Sequence, residues 1–406
     1  MKFRHSLNLI LFWALASALP CVGEEADTAS KPSLTLKGFG TLGIARSDNN
    51  TVRFVRDLSY PDGLSRNWSG KLDSLVGLQA NIQLSEQTEG VMQVVSRYRY
   101  DGTYTPEVTW AFLRHDVSPD FSLRAGRLGT EFYMRADSRL VGYANLTVRP
   151  PPDYYGALVF SYVDGLDISA TTPMTGGLLR GKFYAGASPE KTPFVTQPWD
   201  LAGSLIVGGH VDYLYGPWQV RVGHTQIHFE NETPMNALVE SMGGPANFLT
   251  FVPELSVAGK SSRFDSLGVL YDEGPIQLQL MLSQTRHESA QYENSKAGYA
   301  IAGYRLGHVT PYLGYSRVKS SAKLLTSPPP AFLASLTSNL MSQTHSGQHT
   351  LFLGGRWDLQ NNLALKGQVD WIRGTPNSLF PFRGDDTPAA WNGNMRVFSL
   401  TLDFMF

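Results

Sequence analysis

The chain closes on RVFSLTLDFMF, residues 396–406, and this stretch decides the fold. Phe398, Leu400, Leu402, Phe404 and Phe406 are apolar, and Ser399, Thr401 and Asp403 between them are polar. A period of two marks a strand with two unlike faces. Chain ends in water usually fray. A last strand that finishes on phenylalanine is built to be held, with one face in an apolar medium.

The same alternation recurs upstream. VGLQANIQL (76–84) sets Val76, Leu78, Ala80, Ile82 and Leu84 against Gly77, Gln79, Asn81 and Gln83. LALKGQVDW (363–371) sets Leu363, Leu365, Val369 and Trp371 against Lys366, Gln368 and Asp370. Sixteen such segments are expected, near 33–45, 73–84, 90–100, 106–115, 120–128, 157–171, 178–187 and 203–214, then 218–229, 263–271, 275–286, 297–305, 309–319, 348–358, 363–373 and 395–406. Alternation is broken in the sixth and the twelfth.

The connections carry more information than the strands. Short ones (SEQTEG, SPD, TPMTGG, YGP, DEGP, LGH, QNN) interleave with long ones near 46–72, 129–156, 188–202, 230–262, 287–296, 320–347 and 375–394. Only DGTYT is short where a long loop is due. A soluble sandwich has no reason to shorten every second connection, whereas a transmembrane barrel does. Without water in the bilayer core, only a closed barrel lets strands satisfy their backbone groups. The expected fold is therefore all-β: an antiparallel up-and-down transmembrane barrel of about 16 strands. The last strand pairs with the first, so no edge remains. An even count puts both termini on the same, periplasmic side, with Phe406 in an aromatic girdle.

The first residues, MKFRHSLNLILFWALASALPCVG, have a basic start, an apolar run from Leu7 to Leu19 and a break at Pro20. That is the layout of a secretory signal peptide over 1–23, leaving 24–406 as one barrel domain. The apolar run is too short for a spanning helix. The only cysteine, Cys21, leaves with the signal, so the exported chain uses no disulfides. Removing Lys2 and Arg4 takes 34 basic against 35 acidic residues to 32 against 35, a net charge of −3, which argues against a nucleic-acid partner.

With its opening strand LTLKGFGTLGIA (34–45), its sixteen-strand rhythm and its C-terminal SLTLDFMF (399–406), the chain resembles a Gram-negative outer-membrane porin. The resemblance implies a water-filled channel for passive diffusion of small hydrophilic solutes and ions, embedded in membrane lipid and assembled as a homotrimer. It also implies that the loop after strand five, GTEFYMRADSRLVGYANLTVRPPPDYYG (129–156), folds into the lumen and constricts it. In that loop Arg135, Arg139 and Arg149 balance Glu131, Asp137 and Asp153. The commonest constriction loops of the family are more acidic, so a cation preference does not carry over.

On the wall, Arg97, Arg99 and Arg124 fall opposite apolar neighbours, and Arg127 lies at the mouth of the loop. A charge on the lipid face at mid-bilayer costs about 2–4 kcal/mol, so these side chains are expected inside, with Tyr98 and Tyr100 outside. Two uses stand open for the arginines: a basic patch whose field orients solutes, or partners for the loop's carboxylates and carbonyls. Arg221, Arg356 and Lys366 also fall on the polar face, as do Asp358, Asp370 and Asp403, and the mixed signs suggest weak selectivity.

Other motifs are weaker. GFGTLG (38–43) matches a dinucleotide fingerprint, but no helical stripe follows, and glycines covered by aromatic neighbours in a barrel strand account for it better. His224 with His228, and His345 with His349, have metal-like spacing without a third ligand. The prolines of RPPPDYYG (149–156) stiffen the loop exit. No cofactor motif and no catalytic motif is present. The rival readings are a substrate-specific channel, a receptor or adhesin, an outer-membrane enzyme and a secreted all-β protein.

Overall fold

The computed structural model describes residues 33–375, 377–378, 383–384 and 391–406. The expected signal peptide, 1–23, lies outside the described residues. Sixteen strands form one closed barrel. They are β1 (Ser33–Ser47), β2 (Leu75–Ser85), β3 (Thr88–Arg97), β4 (Glu107–Ser118), β5 (Phe121–Gly129), β6 (Tyr162–Met174), β7 (Gly177–Ala187) and β8 (Leu205–Tyr215). The second half comprises β9 (Trp218–His228), β10 (Ser261–Glu273), β11 (Ile276–His287), β12 (Asn294–Tyr304), β13 (Val309–Ser321), β14 (Gly347–Gln360), β15 (Leu363–Gly374) and β16 (Asn394–Met405). Each pairs antiparallel with its sequence neighbours, and β1 closes the ring on β16, with Thr41 opposite Asp403.

The polarity of this barrel is inverted relative to a soluble protein. Leu36, Leu78 and Leu353 are 71%, 57% and 50% exposed on the outer wall, while Asp212, Lys366 and Asp403 are 0% exposed inside. Only an apolar solvent makes that arrangement favourable. Tyr215, Trp218, Tyr304, Trp357 and Phe406 are exposed near the end that carries the short turns. Rings at that level meet the membrane interface. Several of these turns need a left-handed residue, supplied by Gly176, Gly216, Gly274 and Gly307.

Closure explains the glycines of the opening strand. Gly40 pairs with Phe404, and Gly38 exchanges backbone hydrogen bonds with Phe406 at 2.7 and 2.9 Å. A Cβ at either glycine would overlap the facing ring. The terminal Phe404 and Phe406 rings stack at 6.4 Å over the backbone that the missing side chains expose.

Most boundaries fall within three residues of expectation, and two of the differences bear on the lumen. β3 ends at Arg97, so Tyr98 does not face lipid; it is buried under loop 48–74, with its ring 6.4 Å from that of Tyr60 and Lys71 Nζ 4.7 Å from the ring centre. β6 starts at Tyr162 rather than near 157, because Leu158 and Phe160 leave the wall to pack inside the barrel.

Candidate pore constriction

The connection after β5, residues 130–161, turns inward and crosses the lumen. Its contacts reach most of the circumference. Near its start, Glu131 collects four cations or donors from the wall: Lys182 Nζ at 2.5 Å, His210 Nε2 at 3.0 Å, Arg124 Nη2 at 3.2 Å and Arg221 Nη1 at 3.6 Å. In its middle, Gly142 lies so close to Thr41 and Asp403 that a Cβ would overlap them. Lys366 of β15 donates to the carbonyls of Gly142 at 2.7 Å and Asn145 at 2.6 Å while pairing with Asp403 at 2.9 Å. Further on, Asp153 accepts from Ser316 of β13 at 2.6 Å and Gln348 of β14 at 2.8 Å.

Arg149 is a second buried anchor. It is 1% exposed and grips Asp73 of loop 48–74 with two nitrogens, Ser399 of β16 at 2.6 Å, and Asp370 of β15 at 3.5 Å. Buried guanidinium groups need such saturation, since an unpaired charge in a dry site costs several kcal/mol.

Between these ties the loop packs as a core. Tyr133, Tyr154 and Tyr155 cluster against Tyr299 of β12, with Tyr154 4.8 Å from Tyr133 and 5.2 Å from Tyr299. Phe264, Met281, Tyr312 and Phe352 join them from the wall. The lumen face is thus mainly polar along β15 and β16, and mixes polar side chains with these large apolar ones along β10–β14. At loop height much of the wall is covered: Asp212, Thr225, Ser316, Lys366, Thr401 and Asp403 are each at most 1% exposed. Below the loop, toward the short turns, a vestibule of about 430 Å³ is lined by Arg135, Arg305 and Arg356 with Asp272 and Asp358. A larger hollow, about 890 Å³, lies over Gly181, Gly209 and Gly223 among Phe183, Val211 and Leu282; its apolar residues belong to the outer wall, so it faces lipid.

The expected site residues do not share one environment. Glu131, Arg124, Arg149 and Asp153 converge on the loop–wall interface as described. Arg124 also pairs with Asp167 of β6, so its charge is spent on two carboxylates. Arg97 and Arg99 both pair with Glu107, at 3.3 and 3.4 Å, and Arg97 donates to Ser59 of loop 48–74 at 2.8 Å. Arg139 is buried and donates to the carbonyls of Ala136 and Phe160 and the hydroxyl of Ser161, holding the loop's two ends together. Arg135 and Asp137 remain accessible to solvent. Arg135 adopts φ 66°, alone among the described non-glycine residues, and its guanidinium donates to the Ala144 carbonyl.

Arg127 needs a correction. Register places it beside Ala111 and Asp164, and Ala111 beside the exposed Met92, so its side chain lies on the outer face. Strand alternation from Arg124 forces this, because residues three apart on a strand face opposite ways. It pairs there with Asp164 at 2.7 Å.

Sequence reasoning missed the first long loop as a participant. Its Phe54, Val55, Tyr60, Leu64 and Leu72 are buried, and Asp73 is a partner of Arg149. The signal was present: a wet loop has little use for VRFV (52–55). Lys182, His210 and Asp212 were likewise unremarked. Among the described residues, no group of three or more His, Cys, Asp or Glu is placed to hold a metal ion.

No family model matches the chain, and no curated protein matches it by sequence. Solved structures do. An anion-selective porin from Comamonas acidovorans superposes with TM-score 0.54 at 16% identity, over 93% of this chain and 100% of that one. The in-vitro folded, trimeric form of OmpT, an outer membrane protein of Vibrio cholerae, gives 0.54 at 11% identity, over 92% and 100%. OmpF of Salmonella typhi in complex with daunomycin gives 0.55 at 11% identity, over 92% and 97%. The fold is that of a Gram-negative outer-membrane porin: a closed antiparallel barrel of sixteen strands with a loop inserted after the fifth.

Proposed function

We propose that the chain is a non-enzymatic outer-membrane channel through which small hydrophilic solutes and ions diffuse passively, and that loop 130–161 sets what passes. One observation favours a selective channel over a wide general pore: at loop height the wall is buried against the loop, as the near-zero exposure of Ser316, Lys366 and Asp403 attests. Passage then depends on small displacements of the loop or on narrow paths around it, and both discriminate by size and charge. On this reading residues 1–23 direct export, both termini lie in the periplasm, and the barrel assembles as a homotrimer. The trimeric form among the similar structures supports the last point.

Planar-bilayer recording of the purified, folded protein tests the proposal. Discrete ohmic steps, smaller than those of an unobstructed sixteen-strand pore, are expected. Absence of steps at any voltage, with the barrel shown to be inserted, would replace the channel reading with that of a receptor or adhesin. Cross-linking in detergent tests the trimer.

A further inference from the structure

Above the inserted loop, toward the long-loop end, a cavity of about 80 Å³ opens between Phe160, Trp199, Phe229 and Phe264. These rings are between 1% and 7% exposed. They belong to a connected column. Trp199 lies 5.2 Å from Phe229 and 6.3 Å from Tyr292, the latter nearly parallel at 18°. Phe229 is 6.4 Å from Phe160, Phe160 is 5.9 Å from Phe132, and Phe132 is 5.5 Å from Phe264. Four loops and the wall supply this column.

The polar part of the cavity is mainly acidic. Of its titratable side chains other than tyrosine, Asp153 and Glu293 are acidic and His287 is basic, and no lysine or arginine lines it. Asp153 takes hydrogen bonds from Ser316 and Gln348, and Glu293 one from Ser320 at 2.5 Å and one shared with His345 at 2.9 Å. An ionised carboxylate accepts about four, so each has capacity left. The aromatic faces add negative electrostatic potential. An apolar cavity of about 150 Å³ holds a benzene, so at about 80 Å³ this one admits a single ring only where its side chains give way, and it excludes a chain of rings.

We infer that this cavity is a binding site for a small solute with one flat apolar ring and a neutral or cationic hydrogen-bond-donating end. The ring lies against Phe160, Trp199 and Phe229, and the donor reaches Asp153 or Glu293. An anionic solute is rejected, because its charge would be desolvated against two carboxylates. For solute passage the inference rests on the channel reading; for binding alone it does not.

Three probes of one ring size and different charge separate these terms: benzylammonium, benzyl alcohol and benzoate. Binding to the detergent-folded protein is read by saturation-transfer NMR, which needs no current. Benzylammonium is expected to bind most tightly and benzoate about tenfold more weakly or worse. Trp199→Ala weakens benzylammonium and benzyl alcohol alike, while Glu293→Gln narrows the gap between benzylammonium and benzoate. Folding of each variant is checked by its mobility on unheated gels, and Phe229→Leu replaces Trp199→Ala if the latter does not fold. Equal binding of benzoate and benzylammonium, or binding untouched by both variants, overturns the site. Binding that persists in a protein without conductance keeps the site and overturns the channel.

Discussion

The Arg149 guanidinium holds the Asp73 carboxylate at two points, Nε to Oδ1 at 2.9 Å and Nη2 to Oδ2 at 2.6 Å, with both side chains at most 2% exposed. The two residues belong to different loops, 76 positions apart in sequence. Together with Ser399 and Asp370 they fasten the inserted loop to the first long loop and to the closing strands at one place.

Arg149→Ala leaves Asp73 and Asp370 buried without their cation. Breaking such a pair from one side costs about 3–5 kcal/mol. The variant should lose its folded gel mobility at a lower temperature than the parent, and its single-channel record should show larger, noisier openings as the loop detaches. Arg149→Lys should behave in the same direction but less severely, because an ammonium keeps the charge and loses the two-point grip.

Arg97 and Arg124 separate a selectivity role from a structural one. Each is already matched by carboxylates, Arg97 by Glu107 and Arg124 by Asp167 and Glu131. Reversal potentials in a salt gradient should therefore change little in Arg97→Ala and Arg124→Ala, while thermal stability falls in both. A large shift in reversal potential with stability unchanged would assign them to ion selection instead.

Glu190, in loop 188–204, gives the protein a pH dependence. Burial raises its carboxyl to about 7, and the nearby Glu107 acts in the same direction, although the amides of Ser161 and Tyr162 donate to it at 2.6 and 3.2 Å. In the unfolded chain this group titrates near its ordinary value of 4.5. Between these two values the folded state holds the extra proton, so stability falls as pH rises from about 4.5 to 7 and is flat above. Glu190→Gln should remove that loss. It should match the parent at pH 4 and exceed it at pH 8, by at most about 3 kcal/mol, in thermal melts of the folded barrel. A melt curve of unchanged pH slope would show that Glu190 is not the group responsible.

Much of the barrel was legible in the chain because strand and solvent impose one rule at every position. The sixteen segments, the alternating connections and the closure of β1 on β16 follow from the period of two and from the absence of water in the bilayer. The exceptions have a common cause. Alternation fails in β12 because Tyr299 and Ile301 face the tyrosines of the inserted loop, so both sides of that strand are apolar. The stretch 157–161 resembled a strand because Leu158 and Phe160 are core residues of the loop.

The site was less legible. Which arginines face the lumen could be read from strand parity, and Arg127 went to the wrong side because it was placed by its nearness to the loop mouth instead. Which carboxylate each arginine meets depends on distant chain: Asp73 for Arg149 and Asp167 for Arg124. No local pattern encodes pairings over such separations, and the aromatic column assembles from four loops and a strand that are remote in sequence.

The central claim is that loop 130–161 occupies the lumen and limits flow. The most direct measurement is unitary conductance of the parent beside a variant in which residues 136–157 are replaced by a short Gly-Ser linker, both shown to be folded on unheated gels. The account predicts a several-fold larger, quieter conductance for the variant. Equal conductance would mean that solutes take a route the loop does not govern, and would contradict it.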